Sequence, residues 1–322
     1  MVQTGKINML MGIDVGGTNL RLGILDHGLV IDDMRFQANF SEICKNNPAD
    51  VAWHKILEVT ANAINEMLKK HPDVSAVGIG FPGFIAPNTQ IILQSPNLPG
   101  LLNVDLSSAL SAMIKRPVLV ENDALVAAYG EFCSLKSHDK ASAKTRIQDL
   151  IYVGLGTGVG GGLILNGQPF GGQHGMAMEI GHMITVPNGR LCGCGNHGCM
   201  EQYASATGVA LSYQDLTGEA IAVDAIARLA RAGDVEAIKA YELAGVNLAI
   251  AIANIVAVLD IRLILIGGGM SHAWDLMADV FHATLNAALI PVLRGKIEVE
   301  ISNSGDQAGI IGAALLSSTL VS

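Results

Sequence analysis

Apolar residues at positions 9–25, "MLMGIDVGGTNLRLGIL", fall in two runs separated by Gly-Gly-Thr. Two short apolar runs broken by a glycine turn predict strand, tight turn, strand. The following "VIDDMRFQAN" reads as a third strand of the same meander. In "DVAWHKILEVTANAINEMLKK" the apolar positions recur at helical spacing and predict a helix of about five turns. "VSAVGIGFPGFI" predicts a short buried strand ending in a Gly/Pro turn, and "RPVLVENDALVAAYGEF" predicts strand, polar corner, helix. The polar stretch 134–149 is a loop or a hinge flank. "LIYVGLGTGVGGGLIL", at 150–165, then repeats the pattern of the first hairpin. Residues 166–203 are irregular and rich in Gly, His and Cys, and 218–259 are mostly helical. "IRLILIGGGMS" is a buried strand entering another glycine turn, and "GIIGAALLSS" is a final helix of small residues.

The chain has 322 residues, which favours two lobes over one. Half of the residues are apolar, 15% are charged, and the mean hydropathy is +0.40. Such a chain can bury a large core, which argues against disorder. A net charge of -9 without a dense Lys/Arg cluster argues against a nucleic-acid surface. It leaves room for a small anionic ligand held by backbone amides. The N-terminal stretch lacks the apolar core and cleavage site of a signal peptide. Residues 243–259 are membrane-like, but they contain Asn247 and Asn254 and run into Asp260 and Arg262. They also fall short of the ~20 apolar residues of a spanning helix. The expectation is a buried helix, no membrane contact and a cytoplasmic protein.

Three glycine-loop chemistries can be compared with the two hairpins. A Walker loop requires Gly-Lys-Ser/Thr, and no such tripeptide occurs. A dinucleotide fingerprint requires a helix after the glycines. Its spacing occurs within "GLGTGVGG", but β-favouring apolar residues follow. What remains is a β-hairpin whose turn offers N–H groups to phosphate oxygens, with glycine supplying positive φ and close approach. The candidate residues are Gly16, Gly17, Thr18 and Asn19 in one turn and Gly156, Thr157 and Gly158 in the other. Two such turns can clamp one triphosphate. Asp14, at the end of its strand, either caps the turn or holds Mg²⁺ against the phosphates.

Five cysteines are present, three of them in "CGCGNHGC". Clustering and odd number point to metal chemistry instead of disulfides. Cys192, Cys194 and Cys199 need one further ligand for a tetrahedral zinc, and His182 and His197 are the candidates. Asn122 and Asp123 stand after an apolar strand at the start of a helix. Asp123 there is either a helix cap or the carboxylate that takes a hydroxyl proton during phosphoryl transfer. Glu179 and His182, three apart, share a helix face or lie in a loop.

Asp-x-Gly-Gly-Thr near the N-terminus, the second Gly-Thr-Gly turn and the late Gly-Gly-Gly resemble the sugar-kinase/actin/heat-shock-ATPase superfamily. "EIGH" followed by "CGCGNHGCMEQYAS" resembles the ROK group of repressors, open reading frames and kinases, over residues 9–316 and with the glucokinase branch nearest. The resemblance implies an α/β, two-lobed actin-like ATPase (ribonuclease H-like) fold with an interlobe cleft. The small lobe would span 1–121, with a C-terminal helix at about 306–322 returning to it, and the large lobe 122–305 with the zinc loop. It implies ATP-dependent phosphorylation of a hexose at the 6-hydroxyl, with glucose foremost. Kinases for N-acetylglucosamine, N-acetylmannosamine, mannose, allose or fructose are the alternatives. Asp123 falls at the family's catalytic aspartate. Gly83, Asn97, Asn122, Asp123, Glu179, His182 and Glu201 match its sugar-binding positions. His182 matches the fourth ligand of a structural Zn²⁺, beside Cys192, Cys194 and Cys199. Gly267, Gly268 and Gly269 would border the adenosine of ATP, with Mg²⁺ at the phosphates. A homodimer or homotetramer is expected. A sugar-responsive repressor is the rival of another class, disfavoured because thirteen residues precede Asp14. Closure of the two lobes on the sugar, with exclusion of water, is the expected motion.

Overall fold

Alternation of buried and half-buried positions builds the first sheet. The computed structural model describes residues 9–87, 89–138, 147–305 and 307–321. Residues 139–146, half of the polar stretch 134–149, and the first eight residues of the N-terminal stretch lie outside them. In chain order the elements are β1 (Met9–Val15), β2 (Asn19–Asp26), β3 (Leu29–Gln37), α1 (Phe40–Asn46), α2 (Ala49–Lys70), β4 (Val74–Phe81), β5 (Phe84–Ile85), β6 (Ile92–Gln94), β7 (Leu102–Val104), α3 (Leu106–Ile114), β8 (Val118–Asn122) and α4 (Asp123–His138). These are followed by β9 (Leu150–Leu155), β10 (Val159–Leu165), β11 (Gln168–Pro169), α5 (Glu201–Ala204), α6 (Ala206–Thr217), α7 (Val223–Arg231), α8 (Val235–Leu259), β12 (Leu263–Gly267), α9 (Ala278–Ala288), β13 (Glu298–Ile301) and α10 (Gln307–Ser317). The chain forms two units. One comprises Met1–Gln148, Gly162–Ala177 and Asp306–Ser322, the other Asp149–Gly161 and Met178–Gly305.

The first unit is built on a sheet of order β3-β2-β1-β4-β8. Strands β1, β2 and β3 are the expected antiparallel meander. Strands β1, β4 and β8 run parallel. Met11 and Ile13 of β1, Leu20 and Leu22 of β2, and Val77 and Ile79 of β4 belong to one core with Ile56, Ile64 and Met67 of α2. Helix α10 packs on β1 and β4 and against α4. It does so at backbone distance. A Cβ on Gly12 would stand 1.8 Å from the carbonyl oxygen of Ile310, and one on Gly78 1.8 Å from that of Ala313. Gly130 of α4 is equally tight, 2.0 Å from the carbonyl oxygen of Ala308. Glycine on the sheet and small residues on the helix are therefore one packing solution.

In the second unit β9, β12 and β13 are parallel, and every residue of β12 is buried. Strand β10 carries the chain back to the first unit, where its end pairs with β11. Helix α8 is the unit's central helix, packed by α5, α6, α7 and α9. Among the described residues it alone is long and apolar enough to cross a membrane. Its Leu248, Ala249, Ile252 and Val256 are buried. Buried Asn247 satisfies its amide on the carbonyl of Leu243, at 2.8 Å. The expected helical stretch 218–259 is broken at 232–234, where Asp234 caps α8 by accepting from the amide of Ala237.

Candidate functional site

The carboxyl ends of three parallel strands bring the first group of residues to one sheet edge. Asp14 of β1 pairs with Gly80 of β4, Gly80 with Glu121 of β8, and Phe81 with Asn122. Asp14 and Asp123 are thus two strands apart on the same edge, about 10 Å at the usual strand spacing. Asn122 is fixed at both ends of its amide. Nδ2 donates to the carbonyl of Gly83 at 3.1 Å, and Oδ1 accepts from the amide of Leu125 at 3.0 Å. Asn122 is therefore the residue that caps the first turn of α4, while Asp123 Oδ1 accepts from the adjacent Ala124 amide, at 2.8 Å. Glu121 supports the corner through Oε1, which accepts from the Asn122 amide at 2.8 Å, and burial raises its carboxyl above the ordinary range. Ser95 donates to the carbonyl of Pro82, so the exposed turn carrying Asn97 is tied to Gly83. Arg21 Nη1 lies 3.9 Å from Asp14 Oδ2.

The two glycine turns share a construction. In the first, the Gly16 amide donates to Asn19 O; in the second, the Gly156 amide donates to Gly158 O, both at 2.9 Å. Each turn's carbonyls are taken up by a supporting segment. Gly17 O accepts from the Ser41 amide and Thr18 O from those of Ala38 and Asn39. Gly156 O accepts from the Ala206 amide, and Thr157 O from the Thr207 hydroxyl. Across a trans peptide, C=O and the next N–H point in opposite directions. The amides of Thr18 and Asn19, and those of Thr157 and Gly158, therefore face away from their supports. Both threonines are exposed. The glycine requirement differs from the expected positive φ: none of Gly16, Gly17, Gly156 and Gly158 is in the left-handed region. Close approach, the other expected reason, holds at Gly17 and Gly158. A Cβ on Gly17 would stand 2.4 Å from Ser41 Oγ, and one on Gly158 2.5 Å from Glu201 Oε2. Positive φ does occur in the third loop, at Gly268 (φ 80°). There Gly267 and Gly268 lie against Tyr152 and Leu155 of β9, beside the second turn.

The irregular segment folds around the cysteines. One donor atom each from His182, Cys192, Cys194 and Cys199 lies within 4.8 Å of all the others. Cys192 Sγ is 3.6 Å from His182 Nδ1, and Cys194 Sγ is 3.6 Å from Cys199 Sγ. Tetrahedral zinc–thiolate geometry requires sulfur separations of about 3.8 Å, so these four fit such an ion. Burial and the neighbouring thiols push Cys199 up to about 12, and a bound cation would reverse that. His197 is elsewhere, its Nδ1 on the carbonyl of Gly189. Glu179 and His182 flank a short 3₁₀ turn, Ile180–His182. His182 Nε2 faces away from the cysteines, 3.8 Å from Glu179 Oε2. Burial raises the Glu179 carboxyl; His182 opposes this and the charge of Glu201 adds to it.

Two contributions have no local signature in the sequence. Glu201 Oε2 accepts from the Val159 amide at 2.9 Å, a contact across 42 positions. Arg190 anchors the cysteine loop. Its guanidinium reaches Gln202 O, Gly208 O, Ser212 Oγ and Asp215 Oδ2, and it lies 4.6 Å over the Tyr203 ring.

The chain is 32% identical to a glucokinase of Halalkalibacterium halodurans, over 95% of this chain and 94% of that one. It is 31% identical to an N-acetyl-D-glucosamine kinase of Pasteurella multocida, over 96% and 99%. A ROK family glucokinase of Streptomyces griseus, solved with glucose and AMPPNP, superposes with a TM-score of 0.78 at 29% identity, covering 97% of this chain and 99% of that one. The ROK family model matches residues 10–319. With that span, and with an Asp-x-Gly-Gly-Thr turn and a His-Cys₃ cluster folded as described, the chain belongs to the ROK family.

Proposed function

We propose that the protein is an ATP-dependent hexokinase that converts glucose to glucose 6-phosphate. The observation that carries the reading is the shared sheet edge of Asp14 and Asp123, beside the Gly16–Asn19 turn. A kinase acting on an alcohol needs one carboxylate for the nucleotide's cation and another for the hydroxyl proton. The near-complete coverage of kinases among its relatives supports it. Asp123 takes the proton of the 6-hydroxyl as O6 bonds to the γ-phosphorus; the bond to the bridging oxygen breaks and ADP leaves. Asn122 and Gly83 hold Asp123 in place. Asn97, Glu179, His182 and Glu201 hydrogen-bond the other hydroxyls. The amides of Thr18, Asn19, Thr157 and Gly158 receive phosphate oxygens, Gly267–Gly269 border the adenosine, and Asp14 would hold Mg²⁺. His182, Cys192, Cys194 and Cys199 would hold a structural Zn²⁺, which fixes the ring so that Nε2 is presented to the sugar.

N-acetylglucosamine is the second candidate, favoured by the relatives that carry that activity. The test is ADP release measured with ATP and Mg²⁺ across a hexose panel. Glucose is expected to give the highest kcat/KM. A higher value for N-acetylglucosamine transfers the assignment to that sugar, and no turnover with any hexose refutes the kinase reading.

A further inference from the structure

We infer that Glu201 is a positioning residue for the nucleotide turn, and that through it the sugar and the nucleotide bind cooperatively. The inference rests on the phosphate-binding role proposed for Gly156–Gly158. Three hydrogen bonds attach that turn to one short segment: Val159 N to Glu201 Oε2, Ala206 N to Gly156 O, and Thr207 Oγ1 to Thr157 O, each at 2.9 Å. Glycine at 158 is what admits the carboxylate, since a Cβ there would meet Oε2 at 2.5 Å. The segment is itself anchored at its start. Cys199 belongs to the His-Cys₃ cluster, and the Met200 amide donates to Met183 O at 2.8 Å. The turn is thus set on a rigid strip that begins at the cluster.

A carboxylate has two oxygens, and here one of them orients the turn. A sugar hydroxyl that binds the same carboxylate restricts its rotamers. That restriction holds Oε2 on the Val159 amide and keeps the Thr157 and Gly158 amides in their phosphate-binding orientation. The entropy of ordering the turn is then spent once, on sugar binding, and nucleotide binding is tightened. By linkage the nucleotide tightens sugar by the same factor. The short range of the path makes the coupling local to this unit, independent of any larger motion.

The experiment is calorimetric titration of AMPPNP with Mg²⁺ into the zinc-loaded protein, with and without saturating glucose. In the unmodified protein glucose is expected to tighten AMPPNP at least fivefold. Glu201→Ala is expected to weaken AMPPNP about tenfold without any sugar present and to abolish the glucose effect. Glu201→Gln keeps an oxygen for the Val159 amide, so it is expected to restore sugar-free AMPPNP affinity while sugar affinity stays low. Thr207→Val removes a second support at an exposed position, and it decides the matter if Glu201→Ala fails to fold: a weakening of threefold or more is expected. Unmodified protein that binds no AMPPNP refutes the nucleotide reading itself. AMPPNP bound normally by both Glu201→Ala and Thr207→Val, or by the latter alone if the former does not fold, overturns the inference and leaves the kinase reading standing.

Discussion

Gly78→Ala tests how the sheet edge that carries Asp14 is held. A Cβ at position 78 would lie 1.8 Å from the Ala313 carbonyl oxygen and 2.4 Å from its carbon. Ordinary contact begins near 3.4 Å and little is tolerated under 3.0 Å, so the helix must retreat by at least 1.2 Å, the difference between 3.0 and 1.8. Rotamer change offers no relief, because both groups are backbone. A gap of 0.5–1 Å already forfeits about a quarter to a half of each dispersion contact it opens. The face of α10 that would be lifted carries Ala308, Ile310, Ala313 and Ala314, all buried. Overpacking ordinarily costs about 1–3 kcal/mol, and a backbone-to-backbone clash belongs at the upper end. At roughly 2–4 °C per kcal/mol for units of about 150–250 residues, Tm should fall by roughly 6–12 °C.

The displacement would also reach the site, since Gly309 at the start of α10 lies 3.2 Å, measured from its Cβ position, from Asp14 Cβ and Cγ. KM for ATP should therefore rise in Gly78→Ala while KM for the hexose moves less. Differential scanning calorimetry and steady-state kinetics give the two readouts. Gly193→Ala is the control: nothing lies within 4 Å of its Cβ position, and Tm should hold or rise slightly through loss of unfolded-state freedom. A Gly78→Ala protein melting within a degree of the unmodified one would refute the close-packed seam.

Asp123→Asn should lower kcat at least 100-fold, the ordinary scale of general-base catalysis, with sugar affinity by calorimetry changed much less; near-normal kcat would remove Asp123 from the chemistry. Cys194→Ser should abolish the roughly one zinc per chain expected of a four-ligand structural site, read by elemental analysis, and should lower Tm; zinc retained at full occupancy would place the metal elsewhere. For Glu121, burial raises the folded-state carboxyl, so the folded form binds the proton more tightly than the unfolded one. That contribution is fully present below the unfolded value of about 4.3 and is lost as pH rises through the folded one. The Tm of Glu121→Gln minus that of the unmodified protein should therefore grow as pH rises from 4, and a constant or shrinking difference would contradict the burial account.

Much of the fold was legible because its signals are local. The β1–β2 hairpin, β4, α2 and β12 each carry their own period and end in turn residues, so the pattern of 9–37, 50–70 and 263–267 sufficed. The short strands β5, β6 and β7, only two or three residues long, carry no period to read, and among the described residues they form a sheet of their own. Helix α10 shows the middle case. Its small residues announce close packing, but which surface it packs on depends on Gly12, Gly78 and Gly130, spread over more than a hundred positions. Nothing in the sequence alone joins those glycines to each other.

The same division runs through the site. The cysteine cluster was legible because three ligands lie within eight residues, and its spacing leaves one coordination position to fill. His197 was as plausible a fourth ligand by proximity. It is displaced because the loop places its ring on Gly189 O, while the 3₁₀ turn at 180–182 aims His182 Nδ1 at Cys192. Of the two reasons expected for glycine in these turns, positive φ is absent and close approach is met at Gly17 and Gly158. Positive φ is a property of one residue, and a sequence can suggest it. Exclusion of a Cβ by Ser41 or by Glu201 is a property of two residues distant in the chain. A glycine held by exclusion differs in how it fails. Substitution at a positive-φ glycine strains its own backbone, whereas substitution at Gly158 would expel the Glu201 carboxylate and leave the backbone at 158 unstrained. Damage at the turn is then transmitted to a residue 43 positions away, at the site proposed for sugar. A Gly158→Ala protein should therefore lose affinity for the hexose as well as for the nucleotide, and Gly156→Ala, which meets nothing within 4 Å, should spare hexose affinity. Both comparisons are binding measurements on folded protein. Equal hexose affinity in the two variants would mean that Glu201 finds another rotamer and that exclusion at Gly158 carries no functional weight.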